Sequence, residues 1–126
     1  MQHHGEATLL WEESILIVEA RGPFNEEGMY HVFENIKKAV LNKKLDRWQK
    51  LSICDKETLG SPSTLKLLNE INVWCTEQGC EKMAVVICTS LQHFIAEHQL
   101  KSASKIFFEK EEAKQWLIEQ PISNLS

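Results

Sequence analysis

The run MAVVICT, residues 83–89, restricts the fold more than any other stretch of the chain. Successive side chains on a strand point to opposite faces, so a strand with one wet face alternates apolar and polar residues. This run is short, rich in Val and Ile, and apolar on both faces, which is the pattern of a central strand in a sheet covered by helices. SILIVEA, residues 14–20, has the same character. Ile15, Ile17 and Glu19 fall on one side of it, and Leu16, Val18 and Ala20 on the other.

The rest of the chain alternates strand-like and helix-like segments. EATLLW, residues 6–11, precedes SILIVEA with Glu12 and Glu13 at the connection, which predicts an antiparallel hairpin. Asn25 then caps a helix whose first turn carries Glu26 and Glu27. Its apolar stripe is Met29, Val32, Phe33, Ile36, Ala39 and Val40. RWQKLSIC returns to extended character, with Leu51 and Ile53 facing one way and Trp48, Lys50, Ser52 and Cys54 the other. Leu65, Leu68, Ile71, Trp74 and Cys75 form the buried side of a second helix that Gly79 can stop. Ser90 is read as the cap of a third helix, with Leu91, Phe94 and Ile95 near one face. A last strand ends near Phe108, and a last helix carries Ala113, Trp116 and Leu117 inward. The order β-β-α-β-α-β-α-β-α predicts one α/β domain spanning 1–126, a mixed sheet with an N-terminal hairpin and four helices. Residues 1–5 and 121–126 read as a short mobile N-terminus and a C-terminal tail.

At 126 residues, the chain can bury a core without metal or disulfide staples. Its 14 Lys and Arg against 18 Asp and Glu give a net charge of -4, with both signs mixed along the chain. That balance offers no electrostatic reason to bind a polyanion, and no nucleic-acid partner is expected. The longest apolar run, ILIV at 15–18, is too short to span a bilayer. Cys54, Cys75, Cys80 and Cys88 lack C-x-x-C spacing, and no apolar signal segment precedes them, so reduced thiols in the cytoplasm are expected. Cys54 and Cys88 lie in strand-like runs and read as small core residues. His3 and His4 alone do not make a metal site, and no cofactor or metal is expected.

In open α/β sheets, ligands occupy the crevice beyond the C-terminal ends of the parallel strands. The third and fourth strands deliver Asp55, the turn LGSPST, and then Thr89 and Ser90 to such an edge. The candidate binding or regulatory residues are therefore Asp55, Gly60, Ser61, Ser63, Thr64, Thr89 and Ser90. A capping account assigns Ser61 to the N-cap and Pro62 to the first helical position, and gives Gly60 a backbone conformation closed to other residues. A functional account uses the same helix start to attract an anion, or uses its hydroxyls as phosphate acceptors. No dinucleotide, P-loop, nucleophile-elbow or zincin motif is present, so no catalytic set is read.

The region CDKETLGSPSTLKLLNEINVWCTEQG, the strand MAVVICT and the ending KIFFEKEEAKQWL together resemble the SpoIIAA-like and STAS group of domains. The closing A-x-x-W-L is the most telling part. The resemblance covers nearly the whole chain and implies a SpoIIAA-like sheet serving as a small regulatory or protein-interaction module without intrinsic catalysis. In the anti-sigma-factor-antagonist branch, a D-S-x-G turn carries a phosphorylated serine. Set against it, Ser61 stands at the acidic position, Pro62 at the phosphoserine and Thr64 at the glycine, so the switching chemistry does not carry over intact. The expected partner surface runs from Asp55 to Thr64. Because SpoIIAA-like proteins also resemble CRAL-TRIO and Sec14 lipid-carrier folds, a small apolar or lipid-like ligand is the alternative. A thiol-dependent enzyme, using Cys54 or Cys88 with His93 or His31 as base, is the weaker one. Homodimerisation is left open.

Overall fold

A computed structural model describes residues 4–100 and 104–119. Apart from His4 and Gly5, the mobile ends expected at 1–5 and 121–126 lie outside the described residues, as does His3. The elements follow the predicted order: β1 Glu6–Glu12, β2 Ile15–Arg21, α1 Glu26–Lys43, β3 Trp48–Cys54, α2 Pro62–Glu77, β4 Cys80–Val86, α3 Ser90–Gln99, β5 Ser104–Phe107 and α4 Lys110–Glu119. The five strands form one mixed sheet in the order β1-β2-β3-β4-β5. β1 and β2 pair antiparallel, with Glu12 opposite Ile15, and the remaining pairings are parallel. The hairpin loop is thus Glu13 and Ser14, one residue later than expected, with Glu13 at φ 54.

Three crossovers run in the same direction across the sheet, so a common right-handed sense puts α1, α2 and α3 on one face. The packing agrees. Leu16, Val18, Trp48 and Met83 point to that face and meet Val32, Ile36 and Val40 of α1 and Leu67, Ile71 and Cys75 of α2. Farther along it, Cys54, Val85 and Ile87 meet Leu65 of α2 and Ile95 of α3. The opposite face carries Ile15, Ile17, Leu51, Ala84 and Val86, covered by Ala113 and Leu117 of α4 with Trp116 beside them. Both sides of β2 and β4 are therefore buried, as their sequences require. On β3, the predicted division of Leu51 and Ile53 from Trp48 and Cys54 also holds.

Asn25 caps α1 by accepting from the Gly28 N–H, and Ser61 caps α2 by accepting from the Thr64 N–H, with Pro62 next. Both starts are as the sequence predicts. Two elements differ. β4 begins at Cys80 and ends at Val86 instead of spanning 83–89, because Cys80 pairs with Trp48 across a register shift and Thr89 is needed at the start of α3. α3 presents Gln92 and Ala96 to the interior and half-buries Ile95, while Leu91 and Phe94 face outward at 69% and 56% exposure. Spacings of three and four residues fit either face of a ten-residue helix, and the demand for Gln92 described below selects this one.

The approach to β3 depends on Trp48 and Gly79. Trp48 is fully buried; its indole N–H donates to the Gln78 carbonyl at 2.9 Å, and Trp11 meets it edge-on at 5.6 Å. Its backbone N–H donates to Gly79 O at 3.1 Å. Gly79 has φ 102, and a Cβ there would lie 2.1 Å from Asp46 O. Gly79→Ala is expected to lower stability by roughly 2 kcal/mol in urea unfolding, from left-handed strain and the backbone clash together.

Candidate functional site

β3 ends in a turn that the Asp55 carboxylate organises. Its Oδ1 accepts from Gly22 N at 3.2 Å, Glu57 N at 3.1 Å, Thr58 N at 3.0 Å and Thr58 Oγ1 at 2.9 Å. Burial alone would push this carboxyl up, but the donors from Gly22, Thr58 and Glu57 outweigh it and hold the pKa below the ordinary 3.8. All four donors converge on Oδ1, which is thereby committed to the turn, while among the described residues none donates to Oδ2.

Gln92 completes the corner. Its side chain is buried at the base of α3. Nε2 donates to Asp55 O at 2.7 Å and Thr58 O at 2.8 Å, while Oε1 accepts from Cys88 N at 2.8 Å and Thr89 N at 3.2 Å. Gln92 N donates in turn to Thr89 Oγ1 at 3.0 Å. One amide therefore uses both its hydrogens and its oxygen to tie the turn after β3 to the turn after β4. Thr89, and not Ser90, is the N-cap of α3, in a reciprocal capping box. Neither Gln92 nor Gly22 is among the expected site residues. The T-x-x-Q spacing of Thr89 and Gln92 is the sequence signal that identifies the first; Gly22 has none.

The α2 start follows the capping account. Ser61 Oγ accepts from Thr64 N at 3.2 Å and lies 2.8 Å from Thr64 Oγ1, with Thr64 buried. Among the described residues, no hydrogen bond joins Ser61 or Thr64 to Asp55 or Gln92. Gly60 does not take the special conformation; Leu59 does, at φ 72. The turn reverses direction there while the Leu59 side chain remains buried against Cys54, Leu65 and Ile87. Gly60, Ser63 and Ser90 are exposed. The structure thus brings Asp55 and Thr89 together through Gln92, commits Ser61 and Thr64 to capping, and leaves Ser63 and Ser90 in solvent.

The thiols divide unevenly. Cys54, Cys75 and Cys80 are buried, and Cys88 is exposed, contrary to its expected place in the core. It lies beyond the end of β4, and its Sγ donates to Cys54 O at 3.3 Å. Burial pushes Cys54 and Cys80 up to about 12, against the influence of Lys50, and also raises Cys75. The expected bases are engaged elsewhere. His93 Nδ1 lies 3.4 Å from the Glu97 carboxylate, and His31 Nε2 is 3.3 Å from Asn35 Nδ2. Among the described residues, no group of three His, Cys, Asp or Glu side chains is arranged to hold a metal, and no helix is long and apolar enough to cross a membrane.

What the edge does display is apolar. Leu91, Phe94 and His98 follow the outer face of α3, with the Phe94 and His98 rings stacked at 4.2 Å. Beside them the His93 ring lies parallel to Phe108 at 5.6 Å, and Phe108 is 50% exposed. Compared with models of known protein families and with curated proteins, the chain matches none.

Two measurements check this geometry. Asp55 has a depressed folded pKa, so its stabilisation is complete above the unfolded value near 3.8 and is lost as pH falls through the lower folded value. Asp55→Ala is accordingly expected to destabilise by roughly 2 kcal/mol near neutrality, with the gap to wild type narrowing below about pH 4 in urea unfolding. In thiol titration of the native protein, Cys88 should react rapidly and Cys54, Cys75 and Cys80 only after unfolding.

Proposed function

We propose that this chain is a non-catalytic protein-interaction module of the SpoIIAA-like or STAS kind, which docks a partner protein on the outer face of α3 and Phe108. The observation that carries the reading is the exposure of Leu91, Phe94 and Phe108 at one edge of the sheet, with His98 stacked on Phe94 and His93 on Phe108. Single exposed apolar residues are ordinary on any surface, but two phenylalanines and a leucine exposed on or beside one ten-residue helix mark a surface suited to burial against another chain. Aromatic anchors of this type supply much of the binding energy in protein interfaces. Asp55 Oδ1 and the Gln92 amide, the polar groups at the centre of the neighbouring corner, are already used internally, which favours docking through apolar contact over recognition of a charged small molecule there. Ser63 and Ser90, at the exposed starts of α2 and α3, are the hydroxyls of that corner open to modification.

The test compares wild type, Leu91→Asp/Phe94→Asp and Ser61→Ala in quantitative affinity capture, with circular dichroism to verify folding. A partner retained by wild type and Ser61→Ala but at least about tenfold depleted from the double variant is the expected outcome. Equal capture by wild type and the double variant rejects the reading. Sedimentation of the same proteins identifies the case in which the partner is a second copy of the chain.

A further inference from the structure

Lys50 lies in the middle of β3, and strand parity directs its side chain to the face covered by α1 and α2. Its exposure is 2%. An ammonium taken out of water loses several kcal/mol of hydration unless charge and hydrogen bonds replace it. Among the described residues the replacement is one bond. Nζ donates to Asn72 Oδ1 of α2 at 2.6 Å, and Asn72 is itself 3% exposed. An ammonium has three hydrogens to donate. None of the ion pairs among the described residues includes Lys50. The ionisable groups that respond to its charge include Cys54, Cys75 and Cys80, and burial keeps these thiols protonated, so they supply no counter-anion.

Lys50 also borders unfilled space. An interior cavity of about 50 Å³ lies between the sheet and α1 and α2; its walls include Lys50 and Asn72 and the apolar side chains of Val18, Met29, Ile71 and Met83. That volume corresponds to roughly four water positions, about a third of a cavity that holds benzene, so it is too small for a lipid chain and matches a molecule of about four heavy atoms, such as acetate. Asn72 and Met83 also line an open groove of about 990 Å³ that follows α2 past the start of β4 to the end of α3. The groove exists because α2 has 16 residues and α3 only 10, so α3 stops short of the first residues of β4. The wall between groove and cavity thus includes a methionine, a side chain with three freely rotating bonds.

We infer that the cavity beside Lys50 is a binding site for a short-chain organic carboxylate, entered from the groove between α2 and α3. The carboxylate accepts from the Lys50 ammonium beside Asn72, and its methyl group faces the apolar wall that includes Met29, Ile71 and Met83. A single cation among apolar walls suits a monoanion with a hydrocarbon tail. A phosphate or sulfate dianion would need further donors that these walls lack. The groove that leads to the cavity passes the end of α3 at His98, but Leu91, Phe94 and Phe108 lie outside the walls of both.

The test is an amide NMR titration with acetate, with its neutral isostere acetamide and with inorganic phosphate. Saturable shifts near Lys50, Asn72 and Met83 are expected with acetate, at least about tenfold weaker affinity with acetamide or phosphate, and loss of binding in Lys50→Met. Asn72→Asp places a carboxylate beside Lys50 within the fold and should abolish acetate binding as well, which keeps the test decisive if Lys50→Met fails to fold. Leu91→Asp/Phe94→Asp should bind acetate like wild type. Failure of wild type to respond saturably to acetate, an equal response to acetamide, or undiminished binding in either Lys50→Met or Asn72→Asp overturns the inference.

Discussion

Burial of the central strands on both faces is the constraint from which the other features follow. Side chains of β2, β3 and β4 enter apolar clusters above and below the sheet, so helices must cover both sides. The strands are added in chain order, and right-handed crossovers then place α1, α2 and α3 together, leaving α4, among the described residues, to cover the second face. One ten-residue helix covers the middle of that face but not its edge, and Leu10 of β1 remains exposed there. Gln49 shows how closely α4 is fitted to the sheet: its side chain, buried on that face, donates to Leu117 O at 3.1 Å near the end of the helix. Lys114 of α4 reaches Glu12 of the hairpin at 2.7 Å.

The same economy explains the C-terminal edge of the sheet. A turn that leaves β3 and a second that leaves β4 must satisfy their backbone groups in a partly buried place. Asp55 supplies the acceptor for the first, and Gln92 supplies donors and acceptors to both. This use of Gln92 turns α3 so that Leu91 and Phe94 point outward. The polar corner and the apolar face are therefore two results of one arrangement: satisfying the turns internally removes their polar groups from recognition and presents hydrophobic side chains instead. Lys50 is the reverse case, a charge placed in the core with one amide as its hydrogen-bond partner and space at its side.

Much of this was legible along the chain wherever one local rule decided the outcome. The hairpin registered within a residue, Asn25 and Ser61 capped their helices, and the inward side of α4 followed its Ala113, Trp116 and Leu117 spacing. Local rules failed where two of them competed. The apolar run alone starts the fourth strand at Met83, yet Cys80 and Lys82 also pair with β3, with Glu81 passed over at the register shift and 3.5 Å from Arg47 while Cys80 turns inward. Ser90 and Thr89 are both acceptable caps, and only Gln92, three residues after Thr89, distinguishes them. Gly60 suited a left-handed turn by composition, but the buried Leu59 side chain determined which residue took that conformation.

The sequence by itself determined the α/β class, the order of the elements and the strands that had to lie inside, because those depend on the period of hydrophobic side chains along a single segment. Tertiary structure decided which side of α3 faces inward, that Cys88 is open while three other thiols are closed, and that a donor from Gly22, distant in the chain, joins the local ones on Asp55 Oδ1. It also decided that the lysine on β3 meets an asparagine 22 residues away and no carboxylate among the described residues. Each of these is a contact between distant segments, set by how the helices divide the two faces of the sheet, and no spacing within one segment encodes it.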